Sequence, residues 1–222
     1  MTDPDIKAEK RAVAVTAAAL VEDGMRVGLG SGTTVAELVP VLGRRGLDVT
    51  CVAASLATAE LARAHGLRVE PFTGIDRLDI AIDGADQVDP SGWLVKGGGG
   101  AHTRERIVAG AADRFVVIVS SDKLVERLHP PVPLELLGYG LAATLRSLPG
   151  TVLRDAPRTP DGGVLADYHG EVDHPARLAR ALDAVPGLIS HGLFPPFLVA
   201  TVLVARRGTV EERRMDEGST ST

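Results

Sequence analysis

Between Asp83 and Glu105 the chain sets acids, an ammonium and a run of glycines into one short segment. It reads Asp83-Gly84-Ala85-Asp86, a spacer, Lys96 followed by Gly97, Gly98, Gly99 and Gly100, and then Thr103-Arg104-Glu105. Carboxylates beside a lysine can move protons and hold the charge that results. Glycines let a ligand approach the backbone closely, but ordering a run of them is entropically costly. A flexible loop is the alternative reading of Lys96 to Gly100, and a turn or helix cap that of Asp83 or Asp86 taken singly. Their company favours a site of proton transfer. Glu105 falls in the first turn of the next helical pattern, where backbone dipoles stabilise a carboxylate.

Another chemical element precedes this segment. Gly28-Leu29-Gly30-Ser31-Gly32-Thr33-Thr34 lies between a strand pattern and a helix pattern. Amides at a helix start favour an anion, and Ser31, Thr33 and Thr34 add hydroxyl donors without charge. A dinucleotide fingerprint would place a third glycine at Thr33, and a nucleotide P-loop would need a lysine that is absent. A capped strand-to-helix turn fits the same residues. Lys123 follows Ser120-Ser121-Asp122 at the end of another strand pattern, as a second cation for an anionic ligand or an ordinary loop lysine.

The elements that must position these residues alternate. A helix is expected over about Ile6 to Glu22, then strands and helices in turn through Arg114 to Val119. That alternation predicts an α/β domain: a Rossmann-like, mostly parallel sheet flanked by helices, with ligands at the carboxyl ends of the strands. After Lys123 the character changes. Pro130, Pro131 and Pro133 punctuate the chain, and strand, turn, strand, helix, strand predicts a smaller α+β domain with an antiparallel sheet. The expected division is 1–128 with about 198–210 for the larger domain, 129–197 for the smaller, and 211–222 as a flexible polar tail.

Composition narrows the classes. The 222 residues are 45% hydrophobic and only 3% aromatic, and the net charge of −5 argues against a large nucleic-acid footprint. Cys51 is the sole cysteine, set in an apolar run that reads as a buried thiol, so no intrachain disulfide can form. The six histidines lack metal-ligand spacing, and no metal is expected. The N-terminus lacks the order of a signal peptide, and no apolar run reaches membrane-spanning length. A cytoplasmic protein without nucleic-acid or membrane partners is expected.

Taken together, these blocks resemble type A ribose-5-phosphate isomerase. The match runs from Gly30–Thr34 through Asp83–Asp86, Lys96–Gly99 and Thr103-Arg104-Glu105 to Lys123, with weaker echoes at Tyr168-His169-Gly170, Pro186-Gly187 and Gly192-Leu193-Phe194. The resemblance implies interconversion of ribose 5-phosphate and ribulose 5-phosphate without cofactor, in homodimers or homotetramers. It implies Glu105 as general base and Asp83 as the acid of ring opening and hydroxyl proton transfer. Lys96 and Asp86 would hold the sugar oxygens, with amides from Gly97, Gly98 and Gly99. The substrate-binding set is then Ser31, Gly32, Thr33, Thr34, Gly84, Ala85 and Lys123, with Lys10 where the family carries another phosphate-contacting lysine. Three positions depart from the family: Ala54-Ser55-Leu56-Ala57-Thr58 has fewer hydroxyls, Leu193–Phe197 replaces a more polar stretch, and Gly100 stands where the family usually has alanine. A related aldose–ketose isomerase, an amino-sugar-phosphate deaminase and a catalytically silent sugar-phosphate sensor are the competing readings.

Overall fold

The computed structural model describes residues 3–215. Its first part holds helix α1 (Asp3–Ala18), strand β1 (Arg26–Leu29), α2 (Gly32–Arg45), β2 (Thr50–Ala53), α3 (Leu56–Ala64), β3 (Arg68–Val69) and β4 (Leu78–Asp83). There follow β5 (Gln87–Val88), β6 (Leu94–Val95), α4 (His102–Gly110), β7 (Ala112–Ser120) and a 3-10 turn at Ser121–Lys123. Next are β8 (Val132–Leu136), α5 (Leu141–Arg146), β9 (Thr151–Leu153), β10 (Val164–Tyr168), α6 (Pro175–Asp183) and β11 (Leu188–His191). The chain closes with β12 (Leu193–Phe194), a 3-10 turn at Pro196–Leu198, β13 (Thr201–Arg206) and β14 (Thr209–Arg214).

These elements fall into two units. The first contains residues up to Ala85, Arg104–Leu124 and those from Pro196; the second contains Asp86–Thr103 and Val125–Pro195. The division differs from the sequence expectation, which ran the larger domain unbroken to 128. Residues 86–103 pair instead with chain far away in sequence: β6 lies between β5 and β12 in a three-stranded antiparallel sheet.

In the first unit the strand order is β14-β13-β7-β4-β1-β2-β3, parallel throughout except for β14. Numbered by their succession within this unit, the six parallel strands run 3-2-1-4-5-6, the doubly wound order, whose switch point lies between β1 and β4. Helix α2 shows how the sequence builds the layer against this sheet. Val35, Leu38, Val39 and Leu42 recur at helical spacing and are buried, each burial contributing about 1.5–3 kcal/mol. Ser31 occupies the N-cap, while Gly46 ends the helix in the left-handed region at φ 63°. Alternate strand residues, among them Val27, Leu29, Ile80, Ile82, Val116 and Ile118, join Val13 and Ala17 of α1 in that core.

In the second unit a four-stranded antiparallel sheet has the order β11-β8-β10-β9. Val132, Leu134 and Leu136 of β8 pack with Ala166, Leu182 and Leu193 in its core. Pro130, Pro131 and Pro133 read as punctuation in the sequence, yet β8 is a central strand that includes Pro133. Burial of all five β8 residues outweighs the one lost backbone donor.

The expected tail from 211 also needs correction. Thr209–Arg214 pairs antiparallel with β13 across a turn in which Arg207 and Gly208 both have positive φ. Its charged side chains suit an exposed sheet edge, which is why its composition hid a strand. The rest of the tail, 216–222, lies outside the described residues.

Candidate active site

Two carboxylates meet in the first unit. Because β1, β4 and β7 are parallel neighbours, the Gly30–Thr34 loop, Asp83 and the Ser121–Lys123 turn share the carboxyl edge of one sheet. Asp83 ends β4 and is buried; its Oδ1 accepts from the Ser31 amide at 3.0 Å and the Gly84 amide at 2.7 Å. These amides compensate the burial of the charge. A Cβ on Gly30 would lie 1.8 Å from the Asp83 Cγ, so this loop position has room only for glycine.

Glu105 comes to the same place from α4. It too is buried, and the Ser31 hydroxyl donates to its Oε1 at 2.6 Å. Ser31 therefore does not cap α2 with its side chain, although it occupies the N-cap. Its backbone holds Asp83 and its hydroxyl orients Glu105. Thr33 accepts from the Lys10 ammonium at 2.9 Å, which brings Lys10 to the loop. Lys123 pairs with Asp122 at 3.3 Å and is about a third exposed. Burial would raise the Asp122 carboxyl, but the Ser120 hydroxyl and the Lys123 charge outweigh it and hold the group below its ordinary value.

The second unit holds the remaining candidates. Asp86 is exposed and its Oδ2 accepts from the Gly98 amide at 2.8 Å. Lys96 is buried at the end of β6, its ammonium 5.6 Å from the centre of the Phe194 ring, a cation–π distance. Gly97 has φ +99°, and a Cβ there would meet His102 at 2.7 Å. Gly98 and Gly99 are exposed. Thus the candidates divide by unit: Asp83, Glu105, Ser31–Thr34, Lys10 and Lys123 in the first, Asp86, Lys96 and Gly97–Gly99 in the second.

Two of the segments that depart from the family have local structural roles. Ser55 accepts from the Thr58 amide at 3.1 Å and its hydroxyl donates to that of Thr58, so Ser55 caps α3. Leu193 and Phe194 form β12 and are buried, Phe194 against Lys96.

Glu9 and Arg154 brace loops that carry candidate residues, and sequence reasoning missed both. Glu9 is buried on α1; its Oε2 accepts from the Ser121 amide and hydroxyl, both at 2.9 Å, and its Oε1 from the Arg207 amide at 3.1 Å. Burial would raise its carboxyl, yet these bonds prevail and hold it low. An acid four residues before Val13 on the apolar face of α1 was the available signal. Arg154 donates to the carbonyls of Gly97 and Gly98 from 57 and 56 residues away, and nothing local marks it. Among the described residues no group of three or more His, Cys, Asp or Glu side chains could hold a metal ion, and no helix is long and apolar enough to cross a membrane.

The family model of ribose 5-phosphate isomerase A (phosphoriboisomerase A) matches residues 50–208, and that of the DeoR C terminal sensor domain matches residues 6–75. Ribose-5-phosphate isomerase A of Rhodopseudomonas palustris strain HaA2 is 41% identical over 224 residues, covering 91% of this chain and 97% of that protein. Ribose 5-phosphate isomerase A from Methanocaldococcus jannaschii superposes with a TM-score of 0.88 at 31% identity, covering 96% of this chain and 100% of its own. A D-ribose-5-phosphate isomerase solved in complex with phospho-erythronic acid gives the same TM-score, identity and coverage.

Proposed function

This chain belongs to the ribose 5-phosphate isomerase A family, and we propose from that premise that it interconverts D-ribose 5-phosphate and D-ribulose 5-phosphate, the aldose–ketose step of the non-oxidative pentose phosphate pathway. In the open-chain aldose the proton on C2 is removed, giving an enediolate, and a proton is delivered to C1. Meanwhile the hydroxyl proton on O2 leaves and O1 gains one. The reaction needs a carbon base, a carrier for the oxygen-bound proton and donors for the developing oxyanion.

The observation that carries the assignment of roles is the Ser31 bridge, one residue bound to both buried carboxylates. Glu105 takes the proton from C2 and returns it to C1. Asp83 opens the sugar ring and moves the proton between the oxygens. Lys96, Asp86, Gly84, Ala85 and the amides of Gly97–Gly99 hold the sugar oxygens and their charge. Gly32 to Thr34, Lys123 and Lys10 bind the phosphate end, where neutral donors and ammonium groups complement its charge, while Ser31 contributes to the site through the two carboxylates it holds.

The match to a sensor domain covers only residues 6–75 and includes none of Asp83, Lys96 and Glu105. The test is turnover: purified protein with EDTA present should form ribulose 5-phosphate from ribose 5-phosphate, and its absence would overturn the assignment in favour of a related sugar-phosphate enzyme or a silent sensor. We place the enzyme in the cytoplasm, where charged sugar phosphates are retained, as a homodimer or homotetramer. Sedimentation as a monomer at assay concentration would overturn the latter.

A further inference from the structure

Arg154 follows β9, and four of its donor contacts are satisfied within the second unit. Its Nε and Nη2 bind the two carboxylate oxygens of Asp167 on β10, at 2.8 and 2.6 Å. Its Nη1 donates to the carbonyls of Gly97 and Gly98 at 3.0 and 3.1 Å. Both partners are largely buried, with 17% and 22% of their side chains exposed. A planar guanidinium gripped bidentately by a carboxylate has little freedom left, so its third nitrogen is aimed.

What it aims at is the rear of the glycine run. In a trans peptide the carbonyl and the following amide point in opposite directions across one rigid plane. The Gly97 carbonyl shares its plane with the Gly98 amide, which donates to Asp86. The Gly98 carbonyl shares its plane with the Gly99 amide, and Gly99 has open space on its Cβ side. Drawing both carbonyls toward Arg154 therefore turns both amides the other way. A cation on each carbonyl also polarises the peptide and strengthens the N–H as a donor. Within the run the Gly100 amide donates to the Gly97 carbonyl at 2.9 Å; beyond that turn bond, glycines have no side chains to hold them and the most conformational freedom to lose.

We infer that Arg154, held by Asp167, is a positioning residue that orients and polarises the amide of Gly99 for the oxyanion of the enediolate, and that of Gly98 for its bond to Asp86. This rests on the isomerase reading above. Arg154 itself does not contact the sugar. Its contribution appears where negative charge develops on oxygen, in the transition state and in a ligand with a carboxylate at that position.

The experiment compares wild type with R154A, R154K and D167N by steady-state kinetics on ribose 5-phosphate. In parallel, calorimetry measures binding of phospho-erythronic acid, whose carboxylate resembles the enediolate. Removing a direct oxyanion donor costs about 100–1000-fold in kcat. An indirect role predicts about 10–100-fold for R154A, with KM within about threefold and phospho-erythronic acid affinity falling in step with kcat. D167N should move both in the same direction by less, and R154K should fail to restore them, since one ammonium cannot replace a bidentate fork. Should R154A not fold, R154K and D167N decide. Wild-type-like kcat and analogue affinity in the folded variants would overturn the inference, as would a loss of thermal stability alone. Wild type that neither turns over the sugar nor binds the analogue would instead overturn the isomerase reading.

Discussion

Replacing Gly30 by alanine perturbs the site by a single carbon. Gly30 does not adopt a positive φ, so the backbone accepts alanine and only the contact matters. The new Cβ would stand 1.8 Å from Asp83 Cγ, 1.9 Å from Oδ1 and 2.3 Å from Oδ2. Carbon atoms pack at about 3.5–4 Å, so the carboxylate must retreat by about 2 Å. That retreat breaks the bonds from Ser31 and Gly84 at 3.0 and 2.7 Å. Each hydrogen bond to a charged acceptor is worth about 1.5–3 kcal/mol, and overpacking adds about 1–3 kcal/mol. Partial relaxation recovers some of this, leaving an expected destabilisation of about 2–4 kcal/mol. Displacement of a reacting group by 1 Å or more costs about 100-fold in rate, so kcat at saturating ribose 5-phosphate should fall by at least that factor. G28A is the control. Its Cβ would meet Val108, Ala81 and Leu78 at 2.5–3.0 Å and none of the site, so it should lose stability in urea with kcat of the folded enzyme retained. If G30A kept kcat within about twofold and its unfolding midpoint, the close approach of Asp83 to this loop would be refuted.

Three further outcomes are expected. Glu105→Gln keeps an oxygen for the Ser31 hydroxyl but loses the base, so turnover should drop by about 100-fold or more with calorimetric binding of ribose 5-phosphate retained; full activity would remove Glu105 from catalysis. Lys123→Ala should raise KM by about tenfold with little change in kcat, as expected for a lost charge-assisted contact, and an unchanged KM would separate Lys123 from the phosphate. Burial pushes the Cys51 thiol up to about 11, so a thiol reagent at neutral pH should label the protein only after denaturation. Rapid labelling of native protein would contradict the buried placement.

Much of the candidate site was legible because its parts are local in sequence. Asp83, Asp86, Lys96, the glycines and Glu105 lie within one segment, and Gly30 to Thr34 within one loop. Strand–helix alternation also carried the doubly wound sheet, since each apolar period is written in consecutive residues. What escaped were features whose partners are remote. Glu9 meets Arg207 across 198 residues, and Arg154 meets Gly97 across 57. β8 escaped because Pro133 locally contradicts a strand, and β14 because an exposed edge needs no apolar pattern.

By itself, then, the sequence determined the chemical inventory, the fold class and the loop where each reactive group sits. These follow from side-chain types and short-range periodicity, which need no knowledge of distant partners. Only the tertiary structure decided that Ser31 serves two carboxylates rather than its own helix cap. It alone joined residues 86–103 to the second unit and set Arg154 behind the glycines. Those outcomes depend on which distant strands pair and which buried charges must be compensated, and both are properties of the folded chain as a whole.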